Sequence, residues 1–144
     1  MRICRAEEEF NIERVQKFEG KFLFFNPEHV LNENHLRFAL WHAKRAFKNG
    51  TNIARDLQIE FLVRLSGRRQ IKKALELMPE SNYCICILEG TIEDFSKTTG
   101  VKAMKESFTE TTEKLSHLKR IFNVGNEERD LEKGIFERIA MTDI

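Results

Sequence analysis

The stretch Leu57-Gln58-Ile59-Glu60-Phe61-Leu62-Val63-Arg64-Leu65-Ser66-Gly67-Arg68-Arg69-Gln70-Ile71-Lys72-Lys73-Ala74-Leu75 carries the fold reading. Leu57, Ile59, Phe61, Val63 and Leu65 alternate strictly and are rich in β-branched and aromatic types, so the period of two predicts a strand. Gln58, Glu60, Leu62 and Arg64 form its opposite face. Ser66-Gly67 closes that strand. Ile71, Ala74, Leu75 and Met78 then recur at helical spacing until Pro79 stops the helix. Residues 83–88 read as the next strand, and strand, helix and strand with short linkers predict a sheet with helices packed on it.

Outward from this centre, the apolar run from Lys21 to Phe25 ends at Asn26-Pro27, as a short strand and turn would. Asn32 precedes Glu33 as a helix cap with acid in the first turn, and Asn49-Gly50 supplies the stop, predicting a helix over 33–48. After Gly90 the pattern predicts helices near 91–98, 112–122 and 127–142, with residues 100–111 open to more than one assignment. The class is α/β in the broad sense, α+β, as one compact domain over 1–144. With 144 residues, 41% of them hydrophobic, there is apolar material for one core.

A charged fraction of 33%, two prolines and seven glycines argue for order nearly throughout. No run approaches roughly 18 apolar residues, and the acidic start through Glu7, Glu8 and Glu9 lacks the features of a signal peptide. The expectation is a cytoplasmic protein with no membrane partner. Cys4, Cys84 and Cys86 have no metal-ligand spacing, and Cys84 and Cys86 would share one face of a strand as buried small side chains.

Local catalytic signatures are missing: no G-x-S-x-G elbow, no G-x-x-x-x-G-K loop and no H-E-x-x-H. His35 and His42 lie two helical turns apart, about 10 Å along the axis, and read as surface histidines rather than metal ligands. Glu127-Glu128 and the Glu7–Glu9 run read as solvated charge. Neither a catalytic residue nor a metal or cofactor is expected.

Charge is uneven along the chain. Residues 37–73 hold Arg37, Lys44, Arg45, Lys48, Arg55, Arg64, Arg68, Arg69, Lys72 and Lys73 against only Asp56 and Glu60, inside a chain whose net charge is +1. Such asymmetry suits a polyanion partner, or a solvated face. At Ser66-Gly67-Arg68-Arg69 a strand end followed by a helix start would point backbone N–H groups at an anion, unless Ser66 merely caps the helix. On the 33–48 helix, Leu36, Ala39, Leu40, Ala43 and Phe47 cluster on one side, and Phe38 and Trp41 fall nearly opposite, beside Lys44, Arg45 and Lys48. Aromatic and basic residues so interleaved suit unpaired nucleotides. The same pattern also fits a helix buried on both sides.

The 57–75 run resembles the signature of the kinase-binding subunit family of the KEOPS tRNA-modification complex, to which the human PRPK-binding protein belongs. The matching residues are Leu57, Glu60, Leu65, Ser66, Ile71, Ala74 and Leu75, and Ser66-Gly67-Arg68-Arg69-Gln70-Ile71 is similar to the form of archaeal members. The helix before it, with its Ala43-Lys44 pair, and the ending Ile139-Ala140-Met141-Thr142-Asp143 are also similar, so the likeness is strongest over 32–76 and 127–144. Leu77-Met78-Pro79 departs from the family's usual break after the helix.

This resemblance implies a mixed sheet flanked by helices and no catalytic centre. It also implies binding and stimulation of the small atypical kinase of KEOPS, indirect association with the other subunits, and help in forming threonylcarbamoyladenosine beside the anticodon. Archaeal members are implicated in holding the single-stranded 3′ CCA end of tRNA. For RNA the candidates are Trp41, Lys44, Arg45, Lys48, Arg64, Arg68, Arg69 and Gln70. The last helix places Leu131, Ile135, Phe136, Ile139 and Ala140 on a stripe wider than one core contact requires, with Met141 beyond it. Leu131, Ile135, Ile139 and Met141 are the kinase-docking candidates, with the core as the other place for Leu131 and Ile135. A stand-alone RNA-binding protein with nuclease or transferase residues dispersed along the chain is the competing class.

Overall fold

The structure, a computed structural model, describes residues 2–6, 12–78, 84–101, 103–105, 108, 110–125 and 130–143. In chain order the elements are β1 (Arg2–Ala6), α1 (Ile12–Val15), β2 (Lys21–Phe25), α2 (Glu33–Asn49), α3 (Leu57–Ser66), α4 (Ile71–Leu75), β3 (Cys84–Glu89), α5 (Ile92–Thr99), β4 (Ala103–Lys105), α6 (Thr112–Ile121) and α7 (Leu131–Met141). A 3-10 turn at Pro27–His29 precedes α2. Helices and sheet combine in an α+β architecture, as expected. The chain divides into two compact units, one from Met1–Asn26 and Pro79–Ser107, the other from Pro27–Met78 and Phe108–Ile144.

In the first unit the strands run in the order β2-β3-β1-β4, and every described pairing is antiparallel, where the family resemblance implied a mixed sheet. Phe22 faces Ile87 and Phe24 faces Ile85 in the register of β2 on β3. Because successive side chains alternate, these four share one face, where Ile85 and Ile87 cluster with Phe95 of α5 and Val101. Phe18, Phe22, Phe24 and Ile92 pack around that cluster. Leu23, Phe25, Cys84 and Cys86 occupy the other face and are buried too. The two cysteines thus sit as expected, on one face and buried; the side chain of Cys4 and the whole of Tyr83 lie outside the described residues.

The second unit is helical, with α2 packed on α3 and α7, and α3 also against α4 and α7. Asn32 caps α2 by accepting a hydrogen bond from the His35 N–H at 2.9 Å, and Gly50 ends it with φ 70°. Leu36, Ala39, Leu40 and Ala43 are buried as expected, whereas Phe47 is partly exposed. Contrary to expectation, His35 and His42 are buried. Their 0% and 5% exposure reflects a helix enclosed on more than its aliphatic stripe.

The central correction concerns residues 57–65, which form not a strand but helix α3. Residues Glu60 to Ser66 are all buried, so the segment is enclosed on every side and its hydrophobic residues need no helical stripe. A short enclosed helix and a buried strand then carry the same apolar run. What distinguishes them is the Glu60–Arg64 pair. Four residues along a strand stand roughly 13 Å apart, while on a helix they are neighbours, and here the side chains meet at 2.8 Å. Gly67 terminates the helix at φ 66°. A Cβ at that position would stand 3.3 Å from the Phe122 ring, and the left-handed backbone favours glycine there.

The predicted strand–helix–strand unit is therefore a helix–helix–strand succession, with α4 reduced to five residues. Pro79, to which its stop was ascribed, lies outside the described residues, as do Glu7–Glu9, Glu127 and Glu128. Strands β2 and β3 and helices α5 and α6 fall within about a residue of where the sequence placed them, and α7 begins at Leu131 behind its cap Asp130 rather than at 127.

Candidate functional site

Trp41, Lys44, Arg45 and Lys48 follow one another at the i, i+3, i+4 and i+7 spacing that aligns side chains along one helix face. All four are exposed, Trp41 by 53%. The Arg45 guanidinium carbon lies 5.1 Å from the Trp41 ring centroid, a cation–π arrangement. With Asn49 these residues line an open hollow of about 510 Å³. Chemically it offers an aromatic surface, three cations and an amide, the set that takes an unpaired base together with its phosphates.

Phe38 is not part of this surface. Its ring stacks on Phe136 of α7 with centroids 4.2 Å apart and planes at 12°. The two readings of the aromatic face thus divide between its residues: Phe38 is covered by α7 and Trp41 stands outside. Trp41 is held from behind, its ring meeting that of His42 at 4.9 Å and 83°, and Phe38 meets His42 at 4.6 Å and 71°.

Arg64 is a correction to the RNA set. Its side chain is 1% exposed, so no phosphate reaches it. Nε and Nη2 donate to Glu60 Oε1 at 3.1 and 2.8 Å, and Nη1 donates to Thr142 Oγ1 at 2.9 Å and Asp143 Oδ1 at 2.6 Å. The Glu60 carboxylate also accepts the N–H groups of Ile53 and Ala54, at 2.9 and 2.6 Å to Oε2. Asp143 Oδ2 lies 2.6 Å from His42 Nδ1. Glu60, Arg64, Asp143 and His42 therefore form one chain of charge-assisted hydrogen bonds tying α3, the end of α7 and α2 together. Sequence reasoning missed this network, although the i,i+4 spacing of Glu60 and Arg64 was a signal for it.

The Ser66-Gly67 turn does not present its N–H groups to an anion. It is a helix C-terminus: Gly67 N–H donates to the Arg64 carbonyl, and Arg68 N–H to Val63 O and to Ser66 Oγ at 3.1 Å. Arg68 is half-buried with its Nη1 3.5 Å from Glu76, and Arg69 and Gln70 are exposed, Gln70 as the cap residue of α4. His35 Nε2 lies 3.0 Å from the Leu65 carbonyl, which sets this turn beside the first turn of α2. Lys44, Arg45 and Lys48 are on its last turns, about 15 Å further along the axis. The basic block is thereby split into separate groups.

His35 itself is neutral and fully buried. Leu31 N–H donates to its Nδ1 at 3.1 Å, so Nε2 carries the proton and donates to Leu65 O. Burial lowers its pKa from 6.5 to about 4, against the raising effect of the Leu65 carbonyl.

On α7, Ile135 and Ile139 are fully buried, Leu131 is half-buried and Met141 is 53% exposed. This corrects the docking set: the wide stripe serves the core at Ile135 and Ile139, because α7 packs on both α2 and α3. Among the described residues no group of three or more His, Cys, Asp and Glu side chains could hold a metal. Nor is any described helix long and apolar enough to cross a membrane.

A family model described as kinase binding protein CGI-121 matches residues 7–143. No curated protein matches the chain.

Proposed function

This chain belongs to the kinase binding protein CGI-121 family, and from that premise we propose that it is a non-catalytic cytoplasmic subunit that recruits tRNA to a kinase-containing modification complex. In this reading the partner is the small atypical kinase of KEOPS, which the chain binds and stimulates, meeting the other subunits indirectly. The RNA is the single-stranded 3′ CCA end of tRNA, delivered for threonylcarbamoyladenosine formation beside the anticodon. The observation that carries the RNA half is the Arg45 guanidinium over the exposed Trp41 ring, with Lys44 and Lys48 along the same face. Only an unstacked base reaches such a ring, and the cations follow the phosphates of the same strand.

Arg69 and Gln70, exposed at the start of α4, and the half-buried Arg68 form a secondary contact for the tRNA body. For the kinase, Met141 and the exposed part of Leu131 are the proposed contacts, with Ile135 and Ile139 holding the helix that presents them. Binding of intact tRNA is compared with binding of tRNA lacking its CCA end, and co-purification with the kinase is assayed beside it. The expected result is loss of most RNA binding on trimming, with kinase capture unchanged. Equal affinity for trimmed and intact tRNA rejects the 3′-end reading. The purified chain alone is expected to show no kinase, transferase or nuclease turnover, and sustained turnover would move it to the competing class.

A further inference from the structure

An exposed tryptophan on a helix is a poor platform unless its rotamer is fixed, because each free side-chain torsion must be ordered when a base stacks. Trp41 is 53% exposed, yet its ring meets two neighbours, the Arg45 guanidinium at 5.1 Å and the His42 imidazole at 4.9 Å with the planes at 83°. His42 is buried and cannot turn freely: Nδ1 is held 2.6 Å from Asp143 Oδ2, and its ring meets that of Phe38, itself stacked on Phe136. Asp143 is fixed in turn by Arg64 Nη1 at 2.6 Å, and Arg64 by Glu60. The orientation of the exposed ring thus leads back, contact by contact, to a buried ion pair.

We infer that Asp143 and His42 are positioning residues for Trp41, so that the segment following α7, 101 residues away in sequence, is part of the nucleic-acid site without touching the ligand. This inference rests on the reading of Trp41 as the stacking platform. It assigns a role to an acidic residue, which would repel phosphate and which a search for cations passes over. Asp143 acts through geometry: it fixes the imidazole, and the imidazole fixes the indole.

The chain has a single tryptophan, so its fluorescence reports Trp41 alone. The test measures Trp anisotropy and affinity for a mixed-sequence single-stranded oligoribonucleotide of roughly ten nucleotides, within the usual site size. Affinity is compared across the unaltered chain, Asp143→Ala, Asp143→Glu, Trp41→Ala and the Trp41→Ala/Asp143→Ala pair, and anisotropy across the three that keep Trp41. Asp143→Ala is expected to lower the anisotropy and weaken RNA binding about tenfold, within the range of one lost base stack, with an unchanged dependence on salt. Asp143→Glu should restore part of both. In the Trp41→Ala background Asp143→Ala should cost nothing further, since the two changes remove one interaction.

A cost for Asp143→Ala that is the same with and without Trp41, or an unaltered anisotropy, overturns the inference. Should Asp143→Ala fail to fold, His42→Gln is measured in the same cycle and decides the matter by the same criteria. Unchanged RNA binding in Trp41→Ala would instead reject the stacking reading beneath it, a result that the anisotropy does not share.

Discussion

Arg64 and Glu60 form a buried ion pair on adjacent turns of α3, 2.8 Å apart, with both side chains almost wholly shielded from water. Removing one partner of such a pair strands the other in a medium of low dielectric, at a cost of about 3–5 kcal/mol. Arg64→Ala is therefore expected to lose stability on this scale in urea denaturation. RNA binding by whatever fraction remains folded should keep its salt dependence. A stable Arg64→Ala chain with a shallower salt dependence would return Arg64 to the RNA surface.

His35 makes stability depend on pH. Unfolded, its imidazole takes a proton near 6.5, but folded only near 4. Between those values the unfolded chain binds more protons, so stability is fully present above pH 6.5 and is lost as pH falls towards 4. The difference amounts to roughly 3 kcal/mol at most. His29 adds in the same direction, its pKa lowered by burial, by His117 and by Arg68, against the opposing Glu28. Denaturation midpoints from pH 7 to 4 are expected to fall for the unaltered chain. They should fall less for His35→Gln, which begins less stable.

The salt dependence of RNA binding follows from which cations share the Trp41 face. If Lys44, Arg45 and Lys48 each contact one phosphate of a single strand, log affinity against log salt should have a slope near −2, from about −0.7 per contact. Lys48→Glu should make the slope shallower. Trp41→Ala should cost about 1–3 kcal/mol and leave it unchanged, since stacking releases no counterions. A slope change in Trp41→Ala would show that the ring acts by holding Arg45 rather than by stacking.

Ile139 and Met141 lie two residues apart on α7 but should answer differently to a charge. Ile139→Glu buries an unpaired carboxylate in the core and is expected to unfold the chain. Met141→Glu should leave the circular dichroism spectrum and melting temperature almost unchanged while weakening capture by the kinase. A folded Ile139→Glu chain that no longer binds kinase would place the docking surface on the face now assigned to the core.

Sequence periodicity located the elements whose two faces differ or whose ends are signposted. Asn32 and Gly50 bracket α2, Gly90 and Gly100 stand at the ends of α5, and Lys21–Phe25 is closed by Asn26-Pro27. It failed at 57–65, where enclosure on all sides erases the stripe and leaves an apolar run that either structure accommodates. The Trp41, Lys44, Arg45 and Lys48 face was legible, because exposed helix positions obey simple angular spacing. The burial of Arg64 was not, since its partner Asp143 is 79 residues distant and a cation's formal charge says nothing of its solvation. The stripe of α7 misled for a related reason: two neighbouring helices, not one, pack against α7, and Ile135 and Ile139 are buried.

The strand order β2-β3-β1-β4 has a temporal side. β1 precedes its partners by a long stretch of chain, since β3 and β4 begin only at Cys84 and Ala103. At roughly 5–20 residues per second, the nascent β1 waits on the order of ten seconds with its backbone donors and acceptors open to other strands. Throughout that wait the Pro27–Met78 segment is being made. Pairing that spans so much sequence also carries a loop-closure cost that slows folding. β1 is thus exposed to mispairing during synthesis, whatever the final stability of the sheet it completes.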